Sequence, residues 1–140
     1  MSSGLRDLRI WQDSVALAGD VIRILRQSFR RETAAVTDAV MMTALAIGSH
    51  IADGYARHSP TEQRESYMLA KRALFRFETE LAIARHADLI PAGSLTELVA
   101  RCGMVSKMLT GYLAYLDRQM AERDEGHRAP ATPGSAHAPS

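Results

Sequence analysis

The run from Ile51 to Leu81, I-A-D-G-Y-A-R-H-S-P-T-E-Q-R-E-S-Y-M-L-A-K-R-A-L-F-R-F-E-T-E-L, dictates a helix end, a sharp corner and a second long helix. Gly48 and Gly54 loosen the first helix, while Ser59-Pro60 supplies an N-cap and a first-turn proline for the second. Proline suits that position because its missing N–H is one that a helix start leaves unpaired anyway. Glu62, three residues after Ser59, completes an S-x-x-E capping box, in which each partner satisfies a free backbone donor of the other. The rest of the chain reads as helix packed onto this corner.

Upstream, Asp7 is placed to cap a first helix over about 7–30. Its apolar positions Trp11, Val15, Ala18, Ile22, Leu25 and Phe29 alternate steps of four and three, the spacing of one buried face. The second helix, 33–57, shows the stripe Val36, Val40, Thr43, Ile47 and Ile51. Met41, Met42, Leu45 and Ala46 extend its apolar surface around much of the circumference. In a small chain, such a helix implies burial against other subunits as well as against the core.

The third helix, 60–87, places Tyr67, Ala70, Leu74, Phe77, Leu81 and Ala84 on one face and dense charge on the other. Residues 88–93 (D-L-I-P-A-G) break it. Ser94 with Glu97 forms a second capping box and opens a fourth helix, 94–122, that buries Leu95, Leu98, Cys102, Val105, Leu109, Tyr112 and Leu116. Residues 1–6 read as a flexible lead-in and 124–140, rich in proline and alanine, as a disordered tail. The expected fold is all-α: an up-down-up-down antiparallel four-helix bundle in one domain, 7–123.

Charge and cysteine usage narrow the function classes. Lys+Arg total 17 against 16 Asp+Glu, so no global attraction draws the chain to nucleic acid or an anionic membrane. The lone Cys102 excludes an internal disulfide and points to a reducing setting. No uninterrupted apolar run of about 18 residues is present, so no membrane span is expected, and the N-terminus lacks a signal-peptide core. The expected location is cytoplasmic.

Three segments carry a resemblance. L-R-I-W-Q-D-S, I-A-D-G-Y-A-R-x-S and F-E-T-E-L-A-I-A are similar, in order and spacing, to L-x-V-W-Q-x-A, S-N-I-A-E-G-Y-G-R-x-S and G-S-x-x-E-L-E-T-Q-L of the 23S rRNA intervening-sequence proteins. The likeness covers residues 5 to about 120. It implies a short antiparallel bundle that assembles as a homopentamer and has no established activity. A related branch, the accessory protein of diversity-generating retroelements, implies a basic barrel that binds a reverse transcriptase and RNA or DNA. Trp11, Gln12, Ile51, Ala52, Gly54, Tyr55, Arg57, Ser59, Glu78, Thr79 and Leu81 match the family pattern as they stand. His50, Asp53, Ala56, Gly48, Arg72-Ala73 and Arg76 depart from it. Arg72 at a family glycine forbids a close helix approach there unless it faces solvent.

Each candidate constellation has a plain structural reading beside its functional one. His50 and Asp53 have the three-residue spacing of di-metal bundles, but no second His-carboxylate pair exists, so no metal or cofactor is expected. Asp53, Tyr55, Arg57 and Glu78 are read as a polar network in which Arg57 locks the second helix to the third or to a neighbouring subunit. Arg64, Lys71, Arg72 and Arg76 are the candidate nucleic-acid contacts. Glu65 and Glu80 interleave with them, which equally describes a solvated face laced with ion pairs. Arg23, Arg26, Arg30 and Arg31 form a second basic cluster near the end of the first helix. No nucleophile elbow, phosphate loop or C-x-x-C occurs, and Cys102 falls on an apolar stripe. The expectation is a non-enzymatic homo-oligomeric scaffold with a protein partner, or alternatively a nucleic-acid-binding accessory module.

Overall fold

Ser59 caps its helix as its residue type requires. Its Oγ accepts from the Glu62 N–H at 3.2 Å, and Pro60 opens the first turn. The reciprocal arm of the expected capping box reaches the Ser59 hydroxyl instead of its backbone N–H: Oγ donates to Glu62 Oε1 at 3.1 Å. The computed structural model describes residues 4–127. Its helices are α1 (Arg9–Gln27), α2 (Ala34–Ala56), α3 (Pro60–His86) and α4 (Leu95–His127), with short 3-10 turns at Leu5–Asp7 and Arg31–Thr33. Each helix packs on its sequence neighbours, α4 returns to α1, and α2 with α3 forms the most extensive contact. This is an antiparallel four-helix bundle, and the described residues contain no strand.

The stripe of α3 lies where its spacing places it: Tyr67, Ala70, Leu74, Phe77, Leu81 and Ala84 are all buried. On α4, Leu98, Cys102, Val105, Leu109 and Leu116 are buried, while Leu95 and Tyr112 are partly exposed. Burying the Cys102 thiol pushes its pKa up to about 12, so it stays a neutral core group.

α1 departs from its expected face. Its buried residues are Ile10, Ser14, Leu17, Val21 and Leu25, whereas Val15 is 45% and Phe29 54% exposed. Two apolar stripes lie side by side on this helix, and the inner one begins a residue earlier than the spacing of Trp11 and Val15 suggests. On α2, Thr37 takes the buried place expected for Val36, which is exposed.

Helix ends also differ. Asp7 does not cap α1; its carboxylate accepts from Gly4 N–H at 3.2 Å within the first 3-10 turn, and Leu8 holds the N-cap position without a side-chain bond. The expected lead-in is therefore partly ordered, and residues 1–3 of it lie outside the described residues. α4 runs on to His127 past the expected end near 122, and residues 128–140 of the expected tail lie outside the described residues.

The break after α3 is made by Asp88, not by a glycine. Asp88 adopts φ 63, while no glycine among the described residues has positive φ. Leu89 N–H then reaches the Ala84 carbonyl at 2.8 Å and Asp88 N–H the Arg85 carbonyl at 3.1 Å, a Schellman closure. This turn folds Leu89 and Ile90 into the core. Ser28 Oγ donates to the Leu89 carbonyl at 2.9 Å, fastening the end of α1 to the turn.

The segment Arg31–Ala56 reaches a mean hydropathy of 1.4, long and apolar enough to cross a membrane by composition. Thr33, Thr37, Asp38 and Thr43 interrupt its apolar run. Its inward face, with Thr37, Val40, Ala44, Ile47 and Ile51, packs in the bundle core.

Candidate functional site

The corner between α2 and α3 is built by close approach. A Cβ on Gly54 would meet the Tyr67 ring at 3.1 and 3.2 Å and Ser66 Cβ at 3.2 Å. A side chain here would force the packed Tyr67 ring and Ser66 to give by a few tenths of an ångström, which accounts for the glycine of I-A-D-G-Y. Tyr67 fills the space beneath, 4.8 Å between centroids from the tilted ring of Tyr112 on α4. Burial raises the Tyr67 phenol pKa far above its ordinary value, with Tyr112 and then Tyr55 adding to the effect.

Asp53 is the polar centre of this corner. It accepts from Ser66 Oγ across the helix pair at 2.9 Å and from the Arg57 guanidinium at 3.1 Å. The Ser66 hydroxyl, then the Arg57 guanidinium, hold its carboxyl below the usual carboxylate range; the same pairing raises Arg57. Arg57 also lies 3.8 Å from Glu62, and its carbonyl accepts from Gln63 Nε2 at 3.3 Å. Asp53 and Arg57 of the expected network bond each other here, joined by Ser66 and Glu62. Glu78 lies about three turns farther along α3, outside the corner, and Ser66 and Glu62 take its place. Asp53–Ser66 links the two helices, and Arg57 both braces Asp53 and reaches Glu62 of α3. Ser66 meets Asp53 because α3 folds back along α2 in this register.

The other motif residues are also architectural. Gln12 donates through Nε2 to the Arg6 carbonyl and holds the lead-in turn against α1. Ile51 is buried, and Trp11 packs against the core from its edge. Asp53 is committed to Arg57 and Ser66, and no group of three His, Cys, Asp or Glu side chains suited to a metal occurs among the described residues.

Two apolar grooves flank α2. One, of about 390 Å³, lies between α1 and α2 and is lined by Trp11, Val15, Ile22 and Leu45 with Gly19 and Gly48. The other, of about 400 Å³, lies between α2 and α3 over Met42, Ala46, Leu69 and Ala73, with His50, Arg72 and Arg76 along it. The residues read from the sequence as the core face of α1 largely line the first groove.

The candidate basic patch is divided by the fold. Arg64 turns to α4 and pairs with Asp117 at 2.6 Å, while Arg72 and Arg76 lie on the α2 side. Arg76 is also 3.4 Å from Glu80. Neither Lys71 nor Arg72 makes an ion pair within the described residues. In the second cluster Arg23 bonds Asp20, which also receives Arg101 of α4 at 2.7 Å. Arg101, then Arg23, hold the Asp20 carboxyl below its ordinary range. Arg26, Arg30 and Arg31 are exposed and outside any ion pair within the described residues.

These features define a class: a small antiparallel helical bundle whose sequence motifs serve its corner and whose outer grooves remain apolar. Residues 6–111 match the sequence pattern of the family described as 23S rRNA-intervening sequence protein, and the chain belongs to that family. A search of curated proteins finds no match.

Proposed function

We propose that this chain is a non-catalytic, cytoplasmic scaffold that works as a homo-oligomer, a pentamer by the family resemblance. One observation carries the reading: apolar side chains line a groove on each flank of α2, outside the bundle core, the one towards α3 edged by His50, Arg72 and Arg76. Scattered exposed apolar residues are ordinary, whereas contiguous apolar surfaces mark places where another surface docks. The motif residues support it by their use in the corner, which holds α2 at a fixed distance from α3. Light scattering behind size exclusion is the test. A mass several times 15.4 kDa is expected, and a single-chain mass at all concentrations overturns the reading.

A second reading, an accessory module that binds RNA or DNA beside an enzyme such as a reverse transcriptase, is favoured by Arg26, Arg30 and Arg31 at one end of the bundle. Repetition around a ring would multiply this small cluster into a basic rim, so avidity offsets the small net charge. Binding to structured RNA should then weaken steeply with salt, and replacing the three arginines by alanine should flatten the slope. Salt-independent binding, or none at low salt, removes this reading.

A further inference from the structure

The two grooves beside α2 differ in charge. No side chain lining the α1–α2 groove is charged, whereas the α2–α3 groove has His50, Arg72 and Arg76 along it and no carboxylate. Other clefts of the bundle also hold arginines, but there each is matched: Arg9 with Asp13, Arg23 and Arg101 with Asp20, and Arg85 with Asp88. Of the two arginines in the α2–α3 groove, Arg76 has Glu80 at 3.4 Å, while Arg72 is exposed and outside any ion pair within the described residues. Asp53, the carboxylate nearest His50 along α2, is committed to Ser66 and Arg57. Unmatched positive charge thus borders an apolar floor, in a chain whose net charge is only +1.

The shape of the groove selects a helix. α2 lines it in steps of three and four from Ala39 to His50, and α3 likewise from Leu69 to Arg76. The α2 wall runs for about three turns, or about 16 Å. A third helix laid between two others interdigitates its side chains with theirs, as in any bundle. Ala46 and Ala73 leave it room, and Met42, 64% exposed, is flexible enough to fit an incoming side chain. An extended peptide would find no backbone partner, because both walls are helices whose own amides are already paired. A phosphate backbone would suit the arginines but not the apolar floor beneath them. We propose that this groove binds an amphipathic helix of another protein, with an apolar stripe for the floor and acidic side chains along the edge that faces Arg72, Arg76 and His50. Residues 128–140, with three prolines and no acidic side chain, lack that pattern. The proposal rests on the scaffold reading and states the chemistry of the partner; it does not depend on how many copies of the chain assemble.

The probe is a fluorescent helical peptide of about five turns, with leucines three and four apart and glutamates flanking them, titrated with the full chain by anisotropy. Two control peptides carry lysine for each glutamate or alanine for each leucine. The leucine–glutamate peptide is expected to bind about tenfold tighter than either control, and less tightly as salt rises. Arg72→Glu, at an exposed position that leaves the core untouched, should reverse the charge preference: the glutamate peptide weakens and the lysine peptide tightens. Met42→Ser should weaken both leucine peptides alike. Equal affinity for the three peptides, a preference that Arg72→Glu leaves in place, or no binding at low salt overturns the proposal. Structured RNA that binds where the peptide does not, and is lost in Arg72→Glu, also overturns it and means that the groove reads phosphate. Light scattering on the same samples separates this proposal from the homo-oligomer reading. Peptide binding by a single-chain species removes that reading and keeps this one, and an oligomer that ignores the peptide does the reverse.

Discussion

The inner seam between α2 and α3 and the outer groove between α1 and α2 are made of the same kinds of residue, with opposite fates. In the seam, Gly54 is closed by Tyr67 and Ser66, and Asp53 ties the two helices across it. In the groove, Gly48 faces open space and Ser14 keeps an unpaired hydroxyl. The seam is closed by packing within one chain, the Tyr67 hydroxyl in it being as unpaired as that of Ser14, and the groove stays open. Small residues therefore have two meanings here, and only the neighbouring side chain separates them.

The strongest break in this comparison is Phe77→Ala set against Val15→Ala. Phe77 is wholly buried, and its truncation should cost about 3–5 kcal/mol in urea unfolding. Val15 lines the groove, so its truncation should change protomer unfolding by less than about 0.5 kcal/mol while weakening assembly. Equal costs would mean that the outer groove belongs to the core.

A finer cut uses two glycines of one helix. Gly54→Ala pushes a methyl against the packed Tyr67 ring and should destabilise by about 1–3 kcal/mol. Gly48→Ala meets nothing and should stabilise the protomer by roughly 0.5–1 kcal/mol. Both are read from thermal unfolding at a concentration where the protomer is alone, and the same sign for both would erase the distinction. Asp88→Gly asks whether the end of α3 is as well finished as its middle. It relieves a left-handed residue at the Schellman turn and should raise stability by about 1 kcal/mol in the same measurement.

Acid offers the smallest effect. Asp53 in the seam and Asp20 between α1 and α4 both have pKa values lowered in the folded chain. The stability they contribute is present above the ordinary carboxylate value of about 3.9 and is lost as pH falls below it through the folded values. Asp20→Asn with Asp53→Asn should therefore flatten the acid limb of a plot of urea midpoint against pH. Parallel limbs for the variant and the wild-type chain would mean that neither carboxylate is coupled to folding.

Much of this architecture is legible in the chain. The stripe of α3 is buried as its spacing requires, while Leu69, Phe75 and Ile83 off that stripe stay exposed among the charges. α1 offers two choices, and periodicity ranks apolar positions without saying what covers them; Trp11, Val15 and Ile22 took the apolar outer groove, and Leu17 and Val21 the core. The corner was readable from Gly54, Ser59 and Pro60, but not the Asp53–Ser66 bond, which depends on the register of two antiparallel helices. The left-handed Asp88 leaves no sequence mark beside the proline and glycine that follow it.

The length of α4 has a consequence in time as well as in space. From Asp117 to Gly126 no residue of this helix is buried, although it continues to His127. An unsupported helical end frays on the timescale of helix–coil exchange, while the same helix between Leu98 and Leu116 opens only with the bundle. Amide protons along one unbroken helix should therefore exchange with solvent in two populations, fast beyond Asp117 and slow before it.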